Sequence, residues 1–135
     1  MTHRIYLSEE DVIAFNRVAL DVLRVKKADR PELRSRQKLG AALEACRSHE
    51  GSVHEKAAVL LSRLVKAHAF ASGNRRTAFL AAKEFVLANG GRFAVPDDAK
   101  NAKTLQGIRE DFYTVEEISR WIEDGTIKEF RRHHA

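Results

Sequence analysis

The segment His68-Ala69-Phe70-Ala71-Ser72-Gly73-Asn74-Arg75-Arg76 carries the residue types from which phosphate chemistry is built: an imidazole, a Ser-Gly-Asn turn and two guanidinium groups. A helix that begins near Asn74 or Arg75 presents unpaired backbone N–H groups and the positive end of its dipole, and Gly73 lets a ligand approach that backbone closely. Arg75 and Arg76 add charge at the same spot, because guanidinium groups clamp phosphate oxygens in bidentate fashion. His68 beside them is placed to take a proton from an attacking hydroxyl. An anion site next to a base points to phosphoryl or nucleotidyl transfer. Taken singly, each residue has a plainer role: His68 as a core histidine, Ser72 or Asn74 as a helix cap, Arg75 and Arg76 as surface charge. Their conjunction favours the chemical reading. The charge on His68 is pulled both ways, towards imidazolium by a helix C-terminus and towards the neutral base by burial and the arginines.

The elements that must position this segment are helical. Ser8 is placed to cap a first helix and Asp11 to reach back, with Val12, Phe15, Val18, Ala19, Val22 and Leu23 following as its apolar positions. A polar connection over 27–35, carrying Pro31, precedes a second helix marked by Leu39, Ala42, Leu43 and Cys46. From about Glu55, the residues Ala57, Ala58, Leu61, Leu64, Val65 and His68 form one stripe of a third helix, so His68 is expected to face inward. After a short break over 69–73, the run 77–88 is apolar on nearly every side and predicts a central buried helix, ended by Asn89-Gly90. Asp97-Asp98 starts a weaker helix through Leu105 and Ile108, and Thr114 to Glu117 form a capping box before Ile118, Trp121 and Ile122. Gly125 closes that helix, and Ile127 and Phe130 suggest one more turn. Arg4 to Leu7 and Arg92 to Val95 alone look strand-like. The expected fold is all-α, a single domain over 1–135 with a central buried helix after the motif loop.

Bulk properties narrow the function. A chain of 135 residues with 44% hydrophobic and 32% charged content suits one globular core. No apolar stretch approaches a membrane span and the first residues lack the pattern of a signal peptide, so a cytoplasmic protein is expected. The net charge of +5 invites a nucleic-acid reading. The basic stretch of Arg24, Lys26, Lys27, Arg30, Arg34, Arg36 and Lys38 has no interleaved aromatics, however, and reads better as a solvated face, so nucleic acid is not expected as a partner. Cys46 has no second cysteine to pair with and is expected in the core, while the adjacent His133 and His134 share no helix face for a metal.

The motif His68-x-Phe70-x-x-Gly73-Asn74-x-Arg76 resembles the Fic-family signature His-x-Phe-x-(Asp/Glu)-Gly-Asn-x-Arg. The death-on-curing (Doc) branch is closer, because a basic residue, here Arg75, replaces the glycine of most Fic enzymes. Ile5 to Val12, Leu33 to Glu44, Glu55 to Ala58 and Thr77 to Phe79 are also similar to Doc proteins, so the resemblance covers most of the chain. It implies a Fic/Doc-like helical bundle that uses ATP to modify a protein hydroxyl. By that resemblance His68 is the general base, Gly73 and Asn74 help form the anion hole, Arg75 and Arg76 hold nucleotide phosphates, and Phe70 packs into the core to fix the loop. Arg75 implies transfer of phosphate, with AMP transfer as the alternative. Doc-type toxins act on elongation factor Tu, which implies a toxin-antitoxin system, inhibition of translation and a small cognate antitoxin. Ser72 stands where the family has the Asp or Glu that organises Mg2+, and a hydroxyl is a weaker ligand for that cation. Reduced activity, a carboxylate from elsewhere such as Glu84 or Asp111, and a nucleotide- or partner-binding protein without chemistry are the three readings this leaves.

Overall fold

The computed structural model describes residues 3–22 and 31–132. Its elements are α1 (Glu9–Val22), α2 (Arg36–Ser48), α3 (Val53–Ala67), α4 (Asn74–Ala88), α5 (Asn101–Arg109) and α6 (Val115–Asp124). The all-helical architecture expected from the periodicity is the one observed, and no strand occurs among the described residues.

Most helix starts obey local chemistry. Ser8 and Asp11 exchange side-chain and backbone hydrogen bonds at 2.8 and 3.1 Å at the entry to α1. Ser35 caps α2, and full capping boxes open α3 (Ser52 with Glu55) and α6 (Thr114 with Glu117). Each arrangement satisfies amides that the first helical turn leaves without partners. Gly125 ends α6 in the left-handed conformation (φ 81°) with nothing near its missing Cβ. Buried Lys56 links α3 back to α2, its ammonium donating to the carbonyls of Arg47 and His49 at the end of α2. The charge thus meets the negative end of the α2 dipole.

The axis of the bundle is the α3–α4 pair. α3 packs against α2, α4, α5 and α6, and α4 against α1 and α3. The run expected to be a central helix is α4, with Ala78, Ala81, Ala82, Phe85 and Val86 fully buried, although Leu87 is half exposed. Cys46 lies in the core, where burial pushes its thiol up to about 11.

Several sequence expectations are corrected. Val18 is half exposed, and the inward stripe of α1 is Val12, Asn16, Ala19 and Leu20, so a polar residue occupies a core position. The segments 4–7 and 92–95 form no strand, because they pair with helix ends: Ile5 with the side chain of Asn89, Ala94 with the carbonyl of Ile122. The tail makes no further helical turn through 132. Phe130 is instead buried against Gly107 of α5, where a Cβ would meet Tyr113 at 2.6 Å and Phe130 at 3.0 Å. Leu23, the basic residues Arg24, Lys26, Lys27 and Arg30, and His133 and His134 lie outside the described residues.

Candidate functional site

α3 stops at Ala67 because His68 adopts the left-handed conformation (φ 48°, ψ 46°), a geometry that a non-glycine residue rarely holds without a reason. The turn carries His68 off the buried stripe of α3. His68 is exposed, whereas the periodicity put it inward, because the helix ends one residue before it.

The loop that follows is tied down from three sides. From within, the Phe70 amide donates to Asn74 Oδ1 at 3.0 Å and Asn74 Nδ2 donates to the Phe70 carbonyl at 2.8 Å. From the segment before α2, the amides of Arg34 and Ser35 donate to the Ala69 carbonyl, and the Ala71 amide donates to the Glu32 carbonyl, so that Leu33 and Phe70 form an antiparallel bridge. From α1, buried Asn16 donates through Nδ2 to the Ser72 carbonyl at 2.9 Å and to the Thr77 hydroxyl at 3.1 Å, while Thr77 donates to the Gly73 carbonyl. Ala69 and Phe70 are buried as a result.

Gly73 closes the loop at φ 74° and stands at the N-cap of α4 without a side-chain hydrogen bond. A Cβ there would meet Leu20 Cδ2 at 3.1 Å in a backbone conformation that L side chains rarely adopt, so both sterics and dihedral select glycine. Gly73 supplies no side-chain cap, and the amides of Asn74, Arg75 and Arg76 belong to the first turn of α4, at the positive end of the helix. The asparagine side chain is committed to the loop.

A cavity of about 550 Å3 opens over this helix end. His68, Ser72, Gly73, Asn74, Arg75 and Arg76 line one wall. The opposite wall comes from α5 and the residues before it, including Asp98, Asn101, Leu105 and Arg109, with Val65 and Phe79 at the apolar base. Every residue singled out in the motif except the buried Phe70 therefore reaches one cavity. Arg75 and Arg109 also line a second, polar cavity of about 410 Å3 with Gln106, Glu110 and Arg132.

Arg76 is engaged. Its two terminal nitrogens pair with both oxygens of Asp97, which holds the Asp97 carboxyl below the usual carboxylate range. Among the described residues Arg75 and Arg109 form no such pair. Glu84 is exposed on α4, and Asp111 pairs with Lys66; neither lines the cavity, and the carboxylate that does is Asp98. Among the described residues no group of three or more His, Cys, Asp or Glu side chains is arranged for a metal ion. A Ser72 hydroxyl and one carboxylate that already accepts from the Lys100 amide do not fit a resident Mg2+, which demands an octahedron of oxygens.

Three contributors were missed from the sequence. Asn16 sits inside an apolar helix, where a polar residue at the inward spacing is itself the signal. Asp97 matches the pattern of a helix start but pairs with Arg76. The Glu32 to Ser35 strap falls in a stretch whose composition predicts only a polar connection, and nothing local marks its contact with the loop.

No curated protein and no solved structure matches the chain. A model of the Fic/DOC family matches residues 6–86, more than half of the chain, from the segment before α1 into α4.

Proposed function

We propose that this chain, which belongs to the Fic/DOC family, transfers a phosphoryl group from ATP to a hydroxyl of a protein. The observation that carries the reading is the meeting of His68, the N-terminus of α4, Arg75 and Arg76 in one cavity. The ligand's phosphates lie against the amides of Asn74, Arg75 and Arg76, where the helix dipole and the guanidinium charge favour an anion. His68, exposed at the rim, takes the proton of the acceptor hydroxyl. The freed oxygen attacks the γ-phosphorus, the bond from that phosphorus to the β,γ-bridging oxygen breaks, and ADP leaves. Gly73, Asn74 and buried Phe70 hold the loop so that base and anion site keep their distance. Mg2+ carried by the ligand's phosphates would neutralise part of their charge.

Arg75 supports phosphate over AMP as the transferred group, since a guanidinium takes volume and adds charge where most Fic enzymes have glycine. The similarity to Doc-type toxins supports the finer picture: a cytoplasmic toxin acting on elongation factor Tu, arrest of translation and a small cognate antitoxin covering the site. ATP labelled at the γ- or α-phosphate, incubated with the protein, Mg2+ and a bacterial extract, tests the reaction. The γ-label is expected on protein and is lost in His68→Ala; transfer of the α-label means AMP transfer, and no transfer removes both.

Ser72 favours a second reading, a nucleotide-binding protein with weak chemistry, because it replaces the carboxylate of the family motif. Under that reading Ser72→Asp raises transfer and strengthens its dependence on Mg2+. Unchanged rates in the variant rule it out.

A further inference from the structure

Arg76 turns both terminal nitrogens of its guanidinium to Asp97, Nη1 to Oδ1 and Nη2 to Oδ2. A guanidinium offers the same fork to two oxygens of a phosphate, so carboxylate and phosphate compete for the same two donors. The third nitrogen, Nε, is buried and has no hydrogen-bond partner among the described residues. The carboxylate pair thus engages two of the three guanidinium nitrogens and leaves the third without an acceptor.

The two partners are held very differently. Arg76 belongs to the first turn of α4 and lines the cavity. Asp97 lies in the exposed run 96–100 between buried Val95 and α5, and belongs to no helix. Its carboxylate can move into water without opening the core. Lys83, about two turns beyond Arg76 on α4, offers a second positive charge that Asp97 already feels.

We infer that Asp97 is a built-in counter-anion, holding the Arg76 fork in the free protein and yielding it to a phosphate group of the incoming ligand. Asp97 thereby determines specificity: a ligand whose phosphates displace the carboxylate gains Arg76, and a neutral nucleoside does not. The inference rests on the reading of the cavity as a phosphate site.

Titration calorimetry of the full chain with ATP, inorganic tripolyphosphate and adenosine, for wild type and Asp97→Asn, tests it. For a fork occupied by Asp97 about nine-tenths of the time, Asp97→Asn binds ATP and tripolyphosphate about tenfold more tightly. Adenosine binding stays unchanged. Equal or weaker binding of both phosphate ligands by Asp97→Asn, with wild type binding normally, overturns the inference alone and makes Asp97 a residue that merely orients Arg76. If neither protein binds ATP or tripolyphosphate, the phosphate-site reading falls with it. Should Asp97→Asn fail to fold by circular dichroism, carboxyl NMR of wild type decides: the Asp97 titration midpoint rises towards the ordinary value on saturation with tripolyphosphate, and an unmoved midpoint overturns the inference.

Discussion

Asn74 and Phe70 bind each other twice across the motif turn, amide to carboxamide oxygen and carboxamide nitrogen to carbonyl. The asparagine side chain acts as a short strand partner for one residue, while its own backbone opens α4 towards the cavity. One residue thus shapes the loop and begins the helix whose first turn lines the cavity.

Replacing it separates the two roles. Asn74→Ala keeps the helix amide but leaves the half-buried Phe70 backbone unmatched, which lowers stability by about 1–3 kcal/mol in urea unfolding. Label transfer drops further, by about a hundredfold, because a displacement of about 1 Å at a reacting group has that effect.

His68 should behave in the opposite way. It is exposed and left-handed, and asparagine tolerates that conformation. His68→Asn therefore changes stability by no more than about 0.5 kcal/mol. Loss of the base lowers transfer by about 10²–10⁴-fold. A large fall in melting temperature would contradict the placement of His68 outside the core.

Asn16 lies outside the motif and does not line the cavity. Asn16→Leu preserves apolar packing in α1 yet removes the donor to the Ser72 carbonyl and the Thr77 hydroxyl. We expect a loss of about 1–3 kcal/mol in urea midpoint experiments with an unchanged m value, accompanied by weaker ATP binding. Normal ATP affinity in a folded Asn16→Leu protein would show that the α1 contact does not shape the site.

Acid should destabilise the fold in a defined window. Asp97, Glu110, Glu117, Asp124 and Glu129 are all held below their ordinary values, first by hydrogen bonds to Arg76, Arg132, the Thr114 backbone, the Thr126 backbone and Lys103 respectively. Depressed folded-state values mean that the unfolded chain binds protons first. Their contribution is complete above the unfolded values of about 3.9–4.3 and is lost as pH falls through the folded ones. Urea unfolding from pH 7 to pH 2.5 should show stability flat down to about pH 5 and falling below it, largely exposed pairs making the drop salt-sensitive. Stability that rises on acidification through this window would refute the assignment.

Local rules made much of the architecture readable from the sequence. Ser8, Thr114 and Gly125 act where their chemistry places them, and the motif turn before α4 falls where Gly73 permits it. Contacts between distant segments were not readable. The Glu32 to Ser35 strap and the Asn16 amide meet the loop only after α1, α2 and α4 have packed, and no spacing encodes that meeting. His68 failed for a different reason: a helical stripe assumes that the helix continues, and α3 ends just before it. Asp97 satisfied a rule for helix starts and is used instead as the partner of Arg76.

The two walls of the cavity stand differently to the family match. His68 to Phe79 lie inside the part of the chain that the family model matches, while Asp98, Asn101, Leu105 and Arg109 lie past its end, on a helix braced by Phe130 of the tail. A ligand in the cavity would thus be held between a wall drawn from the matched segment and one that lies past it, so changes in α5 can alter the second wall without touching the motif loop.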